Sequence, residues 1–265
     1  MTEQVNIAEE IAELAVGLQS GGSKPGWQHL SRTFAVEPWS ADFYGIIHAI
    51  LVRLTELEKI ISSSDMRVKT ATAAIGHVRA IAMAFNHESL TQRWDQCGAQ
   101  YVGNIHSDPI LSLSASLSRF DYERPASDEA EEIIADAVQL LEWLESHQLE
   151  ENDFIRGCII VGVRQFIFRV QKLEWFGWEQ SIASLREVIA AYLALQRGDF
   201  SQESHPMIVA MGKKLISGLG KALKIVSGAR NVTDDAQFMF QAYGSIVKVA
   251  SPATSYIAGY LSNQN

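Results

Sequence analysis

The sequence predicts an all-α protein, a compact multi-helix bundle of about eight or nine helices. Hydrophobic residues recur every three or four positions along most of the chain, which is the spacing of one face of a helix. Segments with the strict alternation of half-buried strands are missing from the sequence. Glycine, proline and capping residues divide the hydrophobic segments into pieces of ordinary helix length.

The first predicted helix occupies the N-terminal 20 residues or so. Its apolar residues share one face, and Glu9, Glu10 and Glu13 lie on the other. The pair Glu9 and Glu10 is predicted to be solvated near the helix start, where negative charge favours the helix dipole.

Residues 27–38 are predicted to be irregular. The aromatic side chains of Trp27, Phe34 and Trp39 are expected to attach the segment to the core. Ser40 is a good N-cap for the long helix that follows, because its hydroxyl can accept a free backbone N–H of the first turn.

Residues 87–105 form the least periodic segment. Nineteen residues without structure are unusual in a compact fold, so either a short helix lies there or the loop is functional. Pro109, after Ser107 and Asp108, is predicted to be the first residue of the next helix.

The most hydrophobic stretch, residues 154–178, predicts the central helix of the bundle, with residues 154–173 buried by neighbours on most sides. Its arginines exclude a membrane span, which needs about 18 uncharged apolar residues. Gly157 and Gly162 are predicted to permit close approach of crossing helices. Arg164 lies among apolar residues, so we expect an interior charge that is paired with a carboxylate.

A helix over residues 178–195 is predicted to form an antiparallel pair with the central helix. Pro206 opens the next helix, and Thr233 caps another. The predicted domain organisation is an acidic helical core of residues 1–204 and a basic C-terminal helical hairpin of residues 205–265 packed on it. A single domain is the alternative.

Charge is unevenly distributed along the chain. Residues 205–265 contain six basic and two acidic residues, a net +4, whereas residues 1–204 contain 16 basic and 29 acidic residues, a net −13. The overall charge of −9 argues against nucleic-acid binding. Two cysteines without motif spacing, and an N-terminus without a signal-peptide pattern, predict a cytoplasmic protein.

Residues 206–228 carry the one amphipathic pattern with functional content. Apolar residues occupy one face of this predicted helix, and four lysines occupy the other without any acidic residue. Such helices bind anionic membrane surfaces or the groove of a protein partner. The predicted binding residues are Lys213, Lys214, Lys221 and Lys224. An ordinary packed helix is the alternative.

Motifs that assemble catalytic or metal sites are missing from the sequence. HExxH, paired CxxC, Glu-x-x-His, GxSxG and the phosphate-binding loop do not occur. The sequence therefore predicts no catalytic residues, no metal ligands and no cofactor. His48 and His77 are interpreted as structural histidines, and His106 as part of a turn or cap.

Three functions are compatible with these patterns. The leading prediction is a non-catalytic cytoplasmic protein-interaction module, an immunity or accessory factor that binds a protein partner. The second is a membrane-active effector whose basic helix is held inactive by the acidic body. The third is a small-molecule-binding protein or enzyme with dispersed site residues, which would use residues 87–105 and Arg164.

Overall fold

The computed structural model describes residues 2–147, 153–197 and 206–228. About four fifths of these residues are helical, so the all-α prediction is confirmed, and eight of the described helices have nine residues or more. Two short strands, β1 (Thr2–Val5) and β2 (Tyr122–Pro125), pair in a two-stranded sheet that the sequence pattern did not predict.

The helices are numbered in chain order. Those before β2 are α1 (Ile7–Gln19), α2 (Gly26–Phe34), α3 (Ala41–Ser63), α4 (Val68–Met83), α5 (His87–Thr91), α6 (Ala99–Val102), α7 (Asn104–Leu111) and a 3-10 helix (Ser114–Phe120). Those after β2 are α8 (Ser127–Ser146), α9 (Asp153–Gln171), α10 (Leu173–Arg197) and α11 (Pro206–Gly228).

The described residues separate into two compact units. One unit lies within Gln4–Tyr122 and also contains the short segment Lys172–Gly177. The other contains the described residues of Met1–Glu3, Glu123–Gln171 and Trp178–Asn265. The predicted boundary after residue 204 falls on residues that the structure does not describe, and so does the predicted helix after Thr233. The C-terminal hairpin therefore stays a prediction.

A buried ion pair joins α1 to α3 in the first unit. Arg53 donates to the Glu10 carboxylate at 2.5 Å, and both side chains are about 95% buried. The same guanidinium donates to the main-chain carbonyl of Trp175 at 3.0 Å. The prediction that Glu10 is solvated was wrong, because α3 covers this side of α1 and brings a partner for the charge.

Gly177 permits the chain to pass close to this ion pair. Its φ of 73° and ψ of 162° interrupt α10 directly before residue 178, where the sequence predicted that a helix begins. A Cβ placed here would lie 2.8 Å from the Nε atom of Arg53. A side chain is therefore excluded both by the positive φ and by the guanidinium.

The segment over residues 87–105 is ordered around one indole. Trp94 is fully buried, and its Nε1 donates to the carbonyl of Leu18 at 3.0 Å. Cβ atoms at Gly21 and Gly98 would overlap its ring carbons. The short helices α5 and α6 confirm the first of the two alternatives predicted for this segment.

The start of α7 differs from the prediction. The helix begins at Asn104, so Pro109 lies inside it instead of at its first position. The ring removes one backbone donor, whose acceptor would be the carbonyl of Ile105. The cost is limited because α7 is short and ends at Leu111.

In the second unit, α8 packs against both α9 and α11. One face of α9 is buried; its buried apolar residues are Ile159, Val163, Phe166, Ile167 and Val170. Phe154 and Val161 on its other side are 83% and 53% exposed, so the prediction of burial on most sides was wrong. The helix therefore buries one face and exposes the opposite one to solvent.

The two glycines of α9 have different environments. A Cβ at Gly162 would lie 2.5 Å from a methyl carbon of Val188 on α10, so the predicted close approach of these helices is confirmed there. A Cβ at Gly157 would meet no atom within 4 Å, and the same prediction was wrong for this residue.

Arg164 is not an interior charge. Its side chain is 59% exposed and pairs with Glu145 of α8, itself 43% exposed, at 2.5 Å. The predicted carboxylate partner exists, but the residue lies at the edge of the helix contact, where water still solvates the guanidinium. The buried arginine of α9 is Arg156, which donates to the carbonyl of Leu144 at 2.6 Å.

Two arginine substitutions separate the buried pair from the exposed one. Arg53→Met should lower the free energy of unfolding by about 3–5 kcal/mol, because the Glu10 carboxylate would stay buried without its partner. Arg164→Met should lower it by less than about 1 kcal/mol, because solvent screens an exposed pair. Urea unfolding followed by circular dichroism measures both, and equal losses would contradict the assignment of Arg53 as the buried charge.

Candidate functional site

A strained turn between α2 and α3 presents a tryptophan to solvent. The amide of Ser40 donates to the carbonyl of Glu37 at 3.3 Å, which closes a four-residue turn with Pro38 and Trp39 at its centre. Proline fixes φ near −65°, and Trp39 has a φ of 61°. This combination is typical of a type II turn, whose third position is ordinarily glycine.

The turn is held in place by the capping of α3. The hydroxyl of Ser40 accepts the amide of Phe43 at 3.1 Å, as predicted, and donates to the carbonyl of Glu37 at 2.7 Å. On the N-terminal side of the turn, α2 is followed by Ala35, whose backbone is also left-handed with a φ of 51°. Two non-glycine residues with positive φ therefore lie within five positions of each other, which is the kind of local strain that accumulates at functional sites.

Trp39 is the centre of a cluster of aromatic rings. Its ring centroid lies 5.9 Å from that of Trp27, 5.6 Å from that of Phe43 and 6.0 Å from that of Tyr44. Phe43 is fully buried, whereas Trp39 is 43% exposed and Tyr44 is 52% exposed. Trp27, Trp39 and Tyr44, supported from below by Phe43, are called the Trp39 surface.

The sequence pattern located these residues only in part. Phe34 is fully buried, as predicted, but Trp39 is not attached to the core by burial. Residues 26–34 are helical instead of irregular, so the chain reaches the turn from a fixed direction. The signal present in the sequence was the tryptophan directly after Pro38 and before the capping Ser40, which puts a large side chain where a tight turn must form.

Charged groups border the Trp39 surface. An open groove of about 520 Å³ beside it is lined by Trp27, Arg32, Glu37 and Pro38, among others. Glu37 and Asp42 are exposed, and neither is in an ion pair within the part of the chain that the structure describes. Arg32 and Glu37 therefore line the groove beside the Trp39 surface, and Asp42 directly precedes Phe43 in the chain.

The four predicted binding lysines lie on α11 in the second unit. Their side chains are exposed, as the amphipathic pattern predicted, and the apolar face is buried. Lys221 makes ion pairs at 3.1 Å with Glu132 and with Asp136 of α8. Hydrogen bonds from Lys221 to Asp136 and Glu132 raise the pKa of its ammonium group.

Through these contacts, α11 packs against α8. A Cβ at Gly218 would lie 2.8 Å from the Cβ of Leu140, so α11 and α8 approach closely. Membrane binding through residues 206–228 stays a prediction, and it would require this buried face to leave α8. Among the described residues, none of the helices combines the length and hydropathy needed to cross a bilayer.

Two other predicted sites are also located by the structure. In the first unit, the side chain of Trp94 is fully buried within the segment 87–105. In the second unit, the side chain of Arg164 is 59% exposed. In the described part of the chain, no group of three or more histidine, cysteine or acidic side chains is arranged to hold a metal ion.

No protein-family model, curated protein or solved structure matches this chain. The inferences about its function therefore depend on the geometry of its own residues.

Two variants of Trp39 test the strain in the turn. Trp39→Gly should be more stable than Trp39→Ala by about 1 kcal/mol, because both lose the indole and only glycine adopts the positive φ without a steric penalty. This is the reverse of the order found inside helices. Urea unfolding of the two proteins measures the difference, and a more stable alanine variant would show that the turn is not strained.

Two lysine variants test the contact of α11 with α8. Lys221→Glu should lower the melting temperature more than Lys213→Glu, because it places a third carboxylate beside Glu132 and Asp136. Lys213 is exposed and is in no ion pair within the described ranges, so its variant is the matched control for the change in charge. Thermal unfolding at low ionic strength, where such repulsion is least screened, makes the comparison. Equal shifts would contradict the contact.

Proposed function

We propose that this protein is a non-catalytic, cytoplasmic protein-interaction module that binds a basic segment of a partner protein through the Trp39 surface. One observation carries the proposal, which is that a strained turn holds a tryptophan 43% exposed at the centre of an aromatic cluster. Tryptophan and tyrosine are enriched at the energetic centres of protein interfaces. The left-handed backbone at Trp39 costs free energy and leaves the indole exposed. Binding of the indole to a partner would explain why this cost is tolerated.

The chemistry of the surface supports a basic partner. The face of an indole or phenol attracts a lysine or arginine cation, with a contribution of about 0.5–1 kcal/mol at an exposed site. Glu37 and Asp42 supply two carboxylates close to Trp39 along the chain. Arg32 is the basic residue that lines the neighbouring groove. The two carboxylates together with this one arginine therefore carry a net negative charge.

The charge of the whole protein supports the same partner. A net charge of −9 would steer a basic segment toward the protein and repel an acidic one. Side chains of the Trp39 surface would then add the specificity that net charge alone does not supply. An accessory factor of this kind would cover the basic segment of its partner and prevent other contacts of that segment.

The cytoplasmic part of the proposal depends on the cysteines. Cys97 and Cys158 are both free thiols, and Cys158 is exposed. Exposed free thiols are compatible with a reducing compartment and are unfavourable in an oxidising one.

Binding of short labelled peptides to the full-length protein tests the proposal. The peptides are a basic one with alternating arginine and glycine, its glutamate counterpart, a proline-rich one and a neutral apolar one. Fluorescence anisotropy should show binding of the basic peptide alone. Its affinity should fall about two- to fivefold in Trp39→Gly, which keeps the turn but removes the indole and its contact of about 0.5–1 kcal/mol with the cation. It should fall also in Glu37→Gln.

Ile105→Ala is the control variant, because Ile105 is 72% exposed on α7 and lies outside the Trp39 surface. Its affinity for the basic peptide should match that of the unmodified protein. Equal binding by Trp39→Gly would show that net charge acts without the Trp39 surface, and the proposal would fail. It would fail also if no peptide bound, or if the acidic, proline-rich or neutral peptide bound more tightly than the basic one.

A further inference from the structure

Two histidines from different helices face each other in the first unit. His77 lies on α4 and His106 on α7, and these helices pack together. Their Nδ1 atoms are 3.1 Å apart, and their ring centroids are 5.3 Å apart with the ring planes tilted by 57°. Both side chains are half-buried. The sequence pattern indicated a structural role for His77 and a turn for His106, and nothing in it connected the two.

The distance between the two nitrogens limits the proton state of the pair. A neutral imidazole has one nitrogen that donates and one that accepts, and an imidazolium has two donors. A hydrogen bond at 3.1 Å requires that at least one of the two Nδ1 atoms carries a lone pair. The observed arrangement therefore places at least one Nδ1 lone pair between the two rings.

The same distance suits two ligands of one metal ion. A zinc–nitrogen bond is about 2.0–2.1 Å, so two nitrogens on one ion are about 2.9 Å apart at a right angle and about 3.4 Å apart at the tetrahedral angle. The observed 3.1 Å lies between these values. Replacement of the shared proton by one metal ion would therefore keep the two nitrogens at nearly their present separation.

We propose that His77 and His106 form a two-histidine binding site for a first-row divalent transition-metal ion, such as Zn²⁺ or Cu²⁺. Imidazole nitrogen suits both ions, whereas Mg²⁺ and Ca²⁺ prefer oxygen ligands. Water completes the coordination shell from the exposed side of the rings. Two protein ligands make a site that exchanges its ion more readily than a structural zinc site with four.

Metal binding at this site would connect α4 to α7. An ion that binds the folded protein and not the unfolded chain stabilises the fold, by an amount that grows with the ratio of its concentration to its dissociation constant. The ion would link residues 29 positions apart along the chain. The site is in addition to the proposed Trp39 surface, and it depends on different residues.

Calorimetric titration of the full-length protein with ZnCl2, CuCl2 and MgCl2 tests the proposal. Zinc and copper should bind with one ion per chain, copper more tightly, and should raise the melting temperature, whereas magnesium should do neither. The affinity should fall at least tenfold in His77→Ala and in His106→Ala. His48→Ala, which removes an exposed histidine of α3, should bind as the unmodified protein does.

A second measurement needs no substitution at the two ligands. In the unmodified protein labelled with ¹⁵N at histidine, zinc should shift the Nδ1 resonances of His77 and His106 and leave those of His48 unchanged. Zinc binding that persists in the double alanine variant, or that shifts other histidines instead, would overturn the proposal. Failure of zinc and copper to bind at millimolar concentration would overturn it as well.

Discussion

The buried ion pair between Glu10 and Arg53 is the interaction on which the rest of the first unit depends. A carboxylate and a guanidinium can be taken out of water only if they satisfy each other and their remaining hydrogen-bonding groups. Arg53 does so by binding Glu10 and the carbonyl of Trp175. It thereby joins α1 and α3 to the segment Lys172–Gly177, which enters this unit from a distant part of the chain. Gly177 is the residue whose missing side chain leaves room for the guanidinium.

Tryptophans have two opposite roles in the same unit. Trp94 is fully buried between glycines and gives its indole N–H to a main-chain carbonyl, so it organises a segment with little hydrophobic periodicity. Trp39 is held outward by a left-handed turn that would suit glycine better. Trp94 stabilises the fold, whereas the left-handed backbone at Trp39 costs free energy in the isolated protein. That contrast is the physical reason for the proposal that the Trp39 surface binds a partner.

Sequence patterns predicted most of the helices, because helix formation and capping depend on residues three or four positions apart. Ser40 caps α3 as expected, and Gly177 interrupts α10 directly before the predicted helix of residues 178–195. The candidate sites were predicted less well. The exposed lysines of α11 were identified, but the pairing of Lys221 with α8 was not specified by residue. The Trp39 surface and the His77–His106 pair were missed, because each depends on how separate helices are placed.

By itself, the sequence determined the helical class, the positions of most of the long helices and the apolar residues that could be buried. Only the tertiary structure decided which charges would be excluded from water. Arg164 and Arg53 both lie among apolar residues in helical patterns, yet the first is 59% exposed and the second is buried. Burial is set by partners far along the chain, such as Glu10 at 43 residues from Arg53, and local spacing carries no information about them.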